Sequence, residues 1–400
     1  MTVTARLPAA VWALGLVSLF MDISSEMVHG LLPVFIVGTL GAGAIWLGLI
    51  EGVAEGTACI VRVFSGALSD RWGRRKAIAL LGYGMAALTK PLFPLADSTA
   101  TVFLARFVDR IGKGIRGAPR DALIADYTTP DQRGAAYGLR QSLDTLGAFA
   151  GPLLAVGLMI LLANDVRAVF WIAVIPGLIA VAILFLAVKE PPHLAPTQRR
   201  LADLRPRDLP RAFWLVAAVG SMFTLARFSE AFLVLRGSST GLSITWTPLV
   251  LVVMNAAYML SAYPAGKLAD RMPRAQLLML GCVILVVSNL ILASAETTAV
   301  VLVGTALWGL HMGFTEGVFS AMVADAAPVS LRGTAFGVFN LLRGVLLMVA
   351  SIIAGLLWEH VSPAATFLAG AVLAASSLLL AKLVSFAMPS GPRTVRVRSP

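Results

Sequence analysis

Charge is scarce in this chain, and cysteine scarcer. Asp, Glu, Lys and Arg make up 13% of its 400 residues, about half the share of a water-soluble domain. With 58% hydrophobic residues and a mean hydropathy of +0.85, that shortage excludes an ordinary soluble globule. The two cysteines, Cys59 and Cys282, fall inside apolar runs. They exclude a disulfide scaffold and read as small packing residues. No phosphate-binding loop of the ATPase kind occurs, so nucleotide hydrolysis as a power source is excluded. No nucleophile–base arrangement and no ligand cluster stands outside the apolar runs. That argues against an enzyme, a metal site or a cofactor.

What the chain does have is apolar blocks of about 20 residues, the length that crosses a hydrocarbon core as a helix. Twelve spans are expected, six near 10–37, 44–68, 77–96, 101–125, 134–162 and 167–188, and six near 212–235, 245–268, 275–294, 299–324, 333–358 and 363–386. The fourth contains Arg106, Asp109, Arg110, Lys113, Arg116, Arg120 and Asp121, and hydropathy alone would miss it. Topology still requires a crossing there, and a charged helix must face the interior. The N-terminal run mimics a signal peptide, but it continues to about Val37 and carries Asp22 and Glu26. It reads as an uncleaved first span.

A net charge of +11 would suit nucleic acid, but its placement argues against that partner. Lys and Arg sit in alternate links: Arg71 to Lys76, Arg133, Lys189 to Arg211, Arg271 and Arg274, Arg332, and Arg393 to Arg398. The other links are nearly free of them, Arg167 and Arg236 apart. This positive-inside pattern predicts a multi-pass protein of the cell inner (plasma) membrane with both termini cytoplasmic.

The chain repeats. The turn Gly66-Ala67-Leu68-Ser69-Asp70-Arg71-Trp72-Gly73-Arg74-Arg75 returns, eroded, as Gly266-Lys267-Leu268-Ala269-Asp270-Arg271-Met272-Pro273-Arg274. Asp126 and Arg133-Gly134 return as Asp325 and Arg332-Gly333, at an offset of 199. The expected fold is therefore an all-α integral membrane protein, with twelve transmembrane helices in two pseudo-symmetric six-helix bundles. The bundles are expected at 1–188 and 212–388, with a Pro-rich cytoplasmic linker at 189–211 and a basic tail at 389–400.

With these residues in place, the chain resembles the major facilitator superfamily. Gly66, Asp70, Arg71, Gly73, Arg74 and Arg75 match that family's signature between helices 2 and 3. In helix 5, Gly138, Gly147 and Gly151-Pro152 resemble the antiporter motif of proton-coupled drug exporters, although Ala155-Val156 stands where the motif ends in Gly-Gly. The resemblance implies alternating access, with helices 1 and 4 lining a central path. Gly147, Gly151 and Pro152 also have a plain packing reading, since small residues let helices approach.

Helix 1 carries Ser18, Asp22, Glu26, His29 and Pro33 on one stripe, and helix 2 carries Glu51, Glu55, Ala58 and Arg62. These carboxylates face the basic fourth helix. A fixed ion-pair network is one reading; proton coupling is the other, with Asp22 and Glu26 first, Glu51 and Glu55 next, and Arg110 or Lys113 to discharge them. His29 is expected as a wall residue toward the outer end. Candidates for solute binding are Arg106, Asp144, Arg227, Tyr258, Trp308, Glu316 and Arg343, with Asp144 and Arg343 at one repeat position and able to pair across the bundles. For the conformational switch, the arginines after Asp70 are expected to hold Asp126, with Asp270 and Asp325 in a weaker second clamp.

Two patterns are set aside. Gly112-Lys113-Gly114-Ile115-Arg116-Gly117 fits a dinucleotide fingerprint but follows no strand, so close packing explains it. The methionines near His29 and His311 suggest a soft-metal path only weakly. The expectation is secondary active transport, a proton-coupled efflux of a small organic solute by a monomer whose partners are the bilayer, the solute and protons. The alternatives are uptake of a solute or metal complex, and a non-transporting membrane sensor.

Overall fold

The computed structural model describes residues 7–129, 132–190, 206–269, 272–328 and 331–387, without the side chains of Ala67, Asp70, Arg71, Pro206 and residues 384–387. The Asp70 and Arg71 side chains, Asp270, most of the 189–211 connector and the 389–400 tail therefore lie outside the described residues.

The first half holds α1 (Ala9–Val34, prolonged by a π turn Phe35–Thr39), α2 (Ala44–Trp72), α3 (Arg75–Thr89), α4 (Thr99–Asp126), α5 (Arg133–Leu161) and α6 (Val166–Ala187). The second holds α7 (Arg211–Leu225), α8 (Ala231–Ser239), α9 (Leu249–Ala269), α10 (Arg274–Ala293), α11 (Thr298–Ala326), α12 (Arg332–His360) and α13 (Pro363–Ala387). Among the described residues, nine helices are long and apolar enough to cross a bilayer alone. The remaining crossings are α3 with its 3-10 extension, the charged α4, and α7 with α8. Twelve crossings form two bundles, and α3, α4 and α5 begin 199 residues before α10, α11 and α12.

The seventh crossing corrects the expectation of one helix over 212–235. It breaks after Leu225 and resumes at Ala231. No Gly or Pro marks the break; Arg227, Ser229 and Glu230 do, because all three reach the molecule's interior cavity. Helix α4 starts on a Ser98 cap that accepts from Thr101 N. It then buries its charges by pressing glycine on its neighbours. A Cβ on Gly112 would lie 2.6 Å from Gly82 O, and one on Gly114 2.8 Å from Ala58 O.

The bundles meet along a glycine seam. Gly48, Gly52 and Gly56 of α2 lie one turn apart; Cβ atoms there would sit 2.3 Å from Ser351 O, 2.8 Å from Met348 O and 3.1 Å from Gly344 O of α12. Such contact maximises van der Waals packing where lipid offers no hydrophobic drive. Among the described residues, polar links between the bundles include Ile45 N to Glu359 Oε2 at 3.0 Å, Asn255 Nδ2 to Ala148 O at 2.9 Å, Ser229 Oγ to Glu51 Oε2 at 3.4 Å, and Thr245 Oγ1 to Asn164 Oδ1. All lie at mid-span or toward the end away from the basic links. One apolar core, including Phe35, Phe170, Phe228 and Trp308, is shared by both bundles. A second, around Leu14, Met21 and Tyr83, belongs to the first bundle alone. The bundles are thus tied at the far end and part toward the end bearing the basic links.

Candidate functional site

Between the bundles lies a cavity of about 560 Å³, a size suited to a small organic molecule. Its first-bundle wall is charged. The α1 stripe supplies Asp22, Glu26 and His29; α2 supplies Glu51, Glu55 and Arg62; α4 supplies Arg110, Lys113, Arg116 and Arg120; α5 supplies Arg140 and Asp144. The second-bundle wall carries fewer charges and more rings: Phe223, Phe228, Phe319 and Phe339, with Arg227, Glu230, Glu316 and Arg343.

At the deep end, Arg106 grips Glu51 through Nε and Nη2, both at 2.9 Å. Each side chain is 1% exposed. His29 bridges two carboxylates, Nδ1 lying 3.3 Å from Glu26 and Nε2 3.6 Å from Glu51. Ser229 reaches the same Glu51 from the opposite bundle. Buried ion pairs of this kind hold together strongly once formed, because losing one partner strands a charge. Lys90 Nζ lies 3.0 Å from Asp109 and 3.1 Å from Ser25 Oγ, all buried. One turn on, Arg110 pairs with Glu55 at 3.1 Å, and Lys113 stands 4.0 Å from it.

Toward the basic end, Asp144 is held by Arg140 at 2.8 Å and Arg120 at 3.7 Å, while Asp121 takes Arg62 at 3.1 Å. On the second wall, Glu316 joins Arg227 and also Arg343 at 3.4 Å. Two groups stand apart. Asp22 has no hydrogen bond or ion pair among the described residues, and neither has Arg116, whose guanidinium stacks over the Tyr83 ring at 4.7 Å. Arg116 Nη1 is buried without an acceptor.

Several expectations need correction. Arg106 does not line the cavity; Glu51 occupies it fully. Trp308 is fully buried among Phe228, His311 and neighbouring rings rather than on the wall. Tyr258 also lies off the cavity lining. Asp144 and Arg343 do not pair across the bundles; each has its ion pair within its own. His29 does line the cavity wall at its deep end, and it sits there between Glu26 and Glu51. Sequence reasoning passed over Lys90 as the partner of Asp109, Ser229 as a link, and Arg140. The signal for Lys90 was a cation within an apolar stretch; for Arg140, its place four residues before Asp144.

The clamp residues fall as the repeat dictates. Arg75 binds Asp126, and Arg274 binds Asp325 while donating to Ala321 O at 3.1 Å. Gly73 closes α2 with φ 61°, a left-handed cap. Arg74 precedes α3 on the exposed surface, and a Cβ on Gly66 would make ordinary contact with Ala118 at 3.4 Å. In α5, Gly147 and Gly151 press on α1, where Cβ atoms would meet Leu19 O at 2.8 Å and Ile23 O at 2.9 Å. Both glycines therefore back directly onto the Asp22 and Glu26 segment, and Pro152 is buried beside them. No group of three or more His, Cys, Asp or Glu arranged to hold a metal occurs among the described residues.

Comparison with known proteins agrees with this architecture. The family model described as Major Facilitator Superfamily matches residues 14–345 and 231–399. An uncharacterized MFS-type transporter of Methanocaldococcus jannaschii is 32% identical over 378 residues, covering 92% of this chain and 93% of that protein. The multidrug resistance protein MdtH of Proteus mirabilis is 31% identical over 158 residues, 38% of each chain. Among solved structures, a POT family transporter in complex with 5-aminolevulinic acid superposes with a TM-score of 0.81 at 12% identity, covering 96% of both chains. At that identity the likeness concerns the fold alone.

Proposed function

The chain belongs to the major facilitator superfamily and is a multi-pass membrane transporter rather than an enzyme, and from that premise we propose that it exports a small organic solute by proton-coupled alternating access. The observation that carries the reading is Asp22, a carboxylate on the cavity wall with no ion pair, one turn from Glu26, which His29 alone engages within 4 Å. A carboxylate without a fixed cation is free to exchange a proton when the cavity changes sides. Glu51 and Glu55, held by Arg106 and Arg110, serve as the fixed frame around it. The partial likeness to a multidrug resistance protein favours export.

In this reading the basic links face the cytoplasm of the inner (plasma) membrane, and so do both termini. The cavity is then open inward. Export requires the glycine seam to part while the clamps Arg75–Asp126 within the first bundle and Arg274–Asp325 within the second keep each bundle's own helices together at the basic end. The bundles 1–188 and 212–388 act as the moving bodies, and the protein works as a monomer with protons, solute and lipid as its partners. Proteoliposomes with an imposed pH gradient test this. Flux of a transported solute should follow the gradient, and Asp22→Asn or Glu26→Gln should abolish that response with folding preserved. Flux indifferent to the gradient would refute proton coupling.

A further inference from the structure

The paired charges of the cavity leave a remainder on the first-bundle wall, the carboxylate Asp22 and the cations Arg116 and Lys113. Glu51, Glu55, Asp144 and Glu316 each have a cation within hydrogen-bond or ion-pair distance. Arg116 has no anion within hydrogen-bond or ion-pair distance, although the Asp22 carboxylate on the same cavity wall lies within reach of its charge. Its side chain belongs to a residue only 6% exposed, borders the cavity, and buries Nη1 with no acceptor. A buried guanidinium with an empty donor is costly, because the lost hydration is not replaced. Tyr83 supplies a π face at 4.7 Å, which steadies the cation but cannot accept the in-plane N–H bonds. One turn before it on α4, Lys113 also faces the cavity. Its side chain is 46% exposed and lies 4.0 Å from its one carboxylate, Glu55, which Arg110 already holds at 3.1 Å. Two cations three residues apart thus share one helix face and neither is neutralised at hydrogen-bond distance.

The opposite wall sets a run of rings beside its charged groups Arg227, Glu230, Glu316 and Arg343. Phe223, Phe319 and Phe339 stack in series, with ring centroids 5.1 and 6.1 Å apart, and all three border the same cavity. We propose that the transported solute is an organic anion, an aromatic or aliphatic body carrying one carboxylate or sulfonate, with the head on Arg116 and Lys113 and the body on the phenylalanine wall. A carboxylate is the planar partner that a guanidinium fork takes in two parallel bonds. The proposal rests on the transport reading and names the solute class for that cavity. It also gives Asp22 a second role. The carboxylate borders the same cavity as Arg116 and Lys113 and carries the same charge as the head group. When ionised it opposes the anion, and when protonated it does not.

Equilibrium binding in the absence of any gradient tests the class separately from coupling. The full chain in neutral maltoside micelles is titrated with 1-naphthoate, 1-naphthylmethylamine and 1-naphthalenemethanol. The carboxylate should bind at least about tenfold more tightly than the amine and the alcohol, as expected for charge-assisted hydrogen bonds in a dry site. Arg116→Gln should remove about that factor and Arg116→Lys should restore part of it, with the unfolding temperature retained. If Arg116→Gln fails to fold, Lys113→Gln, at a half-exposed position that packing does not need, should weaken naphthoate severalfold. Asp22→Asn should tighten naphthoate binding. Equal or tighter binding of the amine or the alcohol, no binding of any probe, or naphthoate affinity unchanged in the folded Arg116 and Lys113 variants would each overturn the assignment. Tight naphthoate binding without pH-driven flux would instead remove proton coupling and leave the solute class standing.

Discussion

The pair Arg106–Glu51 offers the sharpest energetic test of how the first bundle is held. Arg106→Met removes both 2.9 Å bonds and leaves Glu51 at 1% exposure, with His29 at 3.6 Å and Ser229 at 3.4 Å as its remaining company. Breaking a buried pair from one side costs about 3–5 kcal/mol. The two surviving neighbours place Arg106→Met near the lower figure. Glu51→Leu strands Arg106, which makes no other hydrogen bond among the described residues, so this variant belongs near the upper figure. The double variant Arg106→Met with Glu51→Leu buries two apolar side chains where an ion pair stood. It should fall within about 2 kcal/mol of the parent. The cycle therefore predicts strong non-additivity, a coupling above about 3 kcal/mol. Titration of the purified chain from maltoside into dodecyl sulfate, followed by tryptophan fluorescence, reads the three differences. Single variants within about 1 kcal/mol of the parent, or a double variant as unstable as the sum of the singles, would refute the reasoning.

The seam and the second buried pair give two further expectations. In Gly48→Ala the new methyl would lie 2.3 Å from Ser351 O, so α2 and α12 must separate and the closed far end loses about 1–3 kcal/mol. Spin labels at Thr39 and Val361, with Cys59 and Cys282 replaced by alanine, should show a growing long-distance population; an unchanged distribution would contradict the seam as the closing contact. Lys90→Met leaves Asp109 buried beside Arg110 Nε at 3.8 Å and should destabilise by about 3 kcal/mol. Adding Asp109→Asn should recover more than half of that loss in the same titration, and no recovery would mean that Lys90 acts by packing alone.

The sequence was most legible where a rule of spacing fixes both partners. The offset of 199 paired Arg75 and Asp126 with Arg274 and Asp325, and the structure joins each pair. Glycines four apart on α5 lie on one helix face, and the packing reading of Gly147 and Gly151 matches their close approach to α1. The charged α4 was placed inside by the cost of exposing ions to lipid alone. Partner choice within the interior was not legible. Helical spacing puts Asp22, Glu26 and His29 on one stripe, but only the approach of α2 decides that His29 meets Glu51. Arg106 and Arg110 are interchangeable in sequence, yet one is sealed against Glu51 and the other opens on the cavity. The break at Arg227–Glu230 carries no breaker residue, so apolar content on either side disguised it. Trp308 read as a wall aromatic because its burial against Phe228 depends on the broken seventh crossing, which no local pattern reveals.

The two clamps occupy matching repeat positions but differ in their access to water. Arg75 and Asp126 side chains are 21% and 9% exposed, whereas those of Arg274 and Asp325 are 39% and 64% exposed. Dissolved ions screen exposed charges over about 8 Å at physiological strength and reach sheltered ones far less. Ionic strength therefore acts as a selective key. Raising it weakens the ion pair of the second half and spares that of the first, so one electrolyte acts unequally on two contacts that the repeat made equivalent.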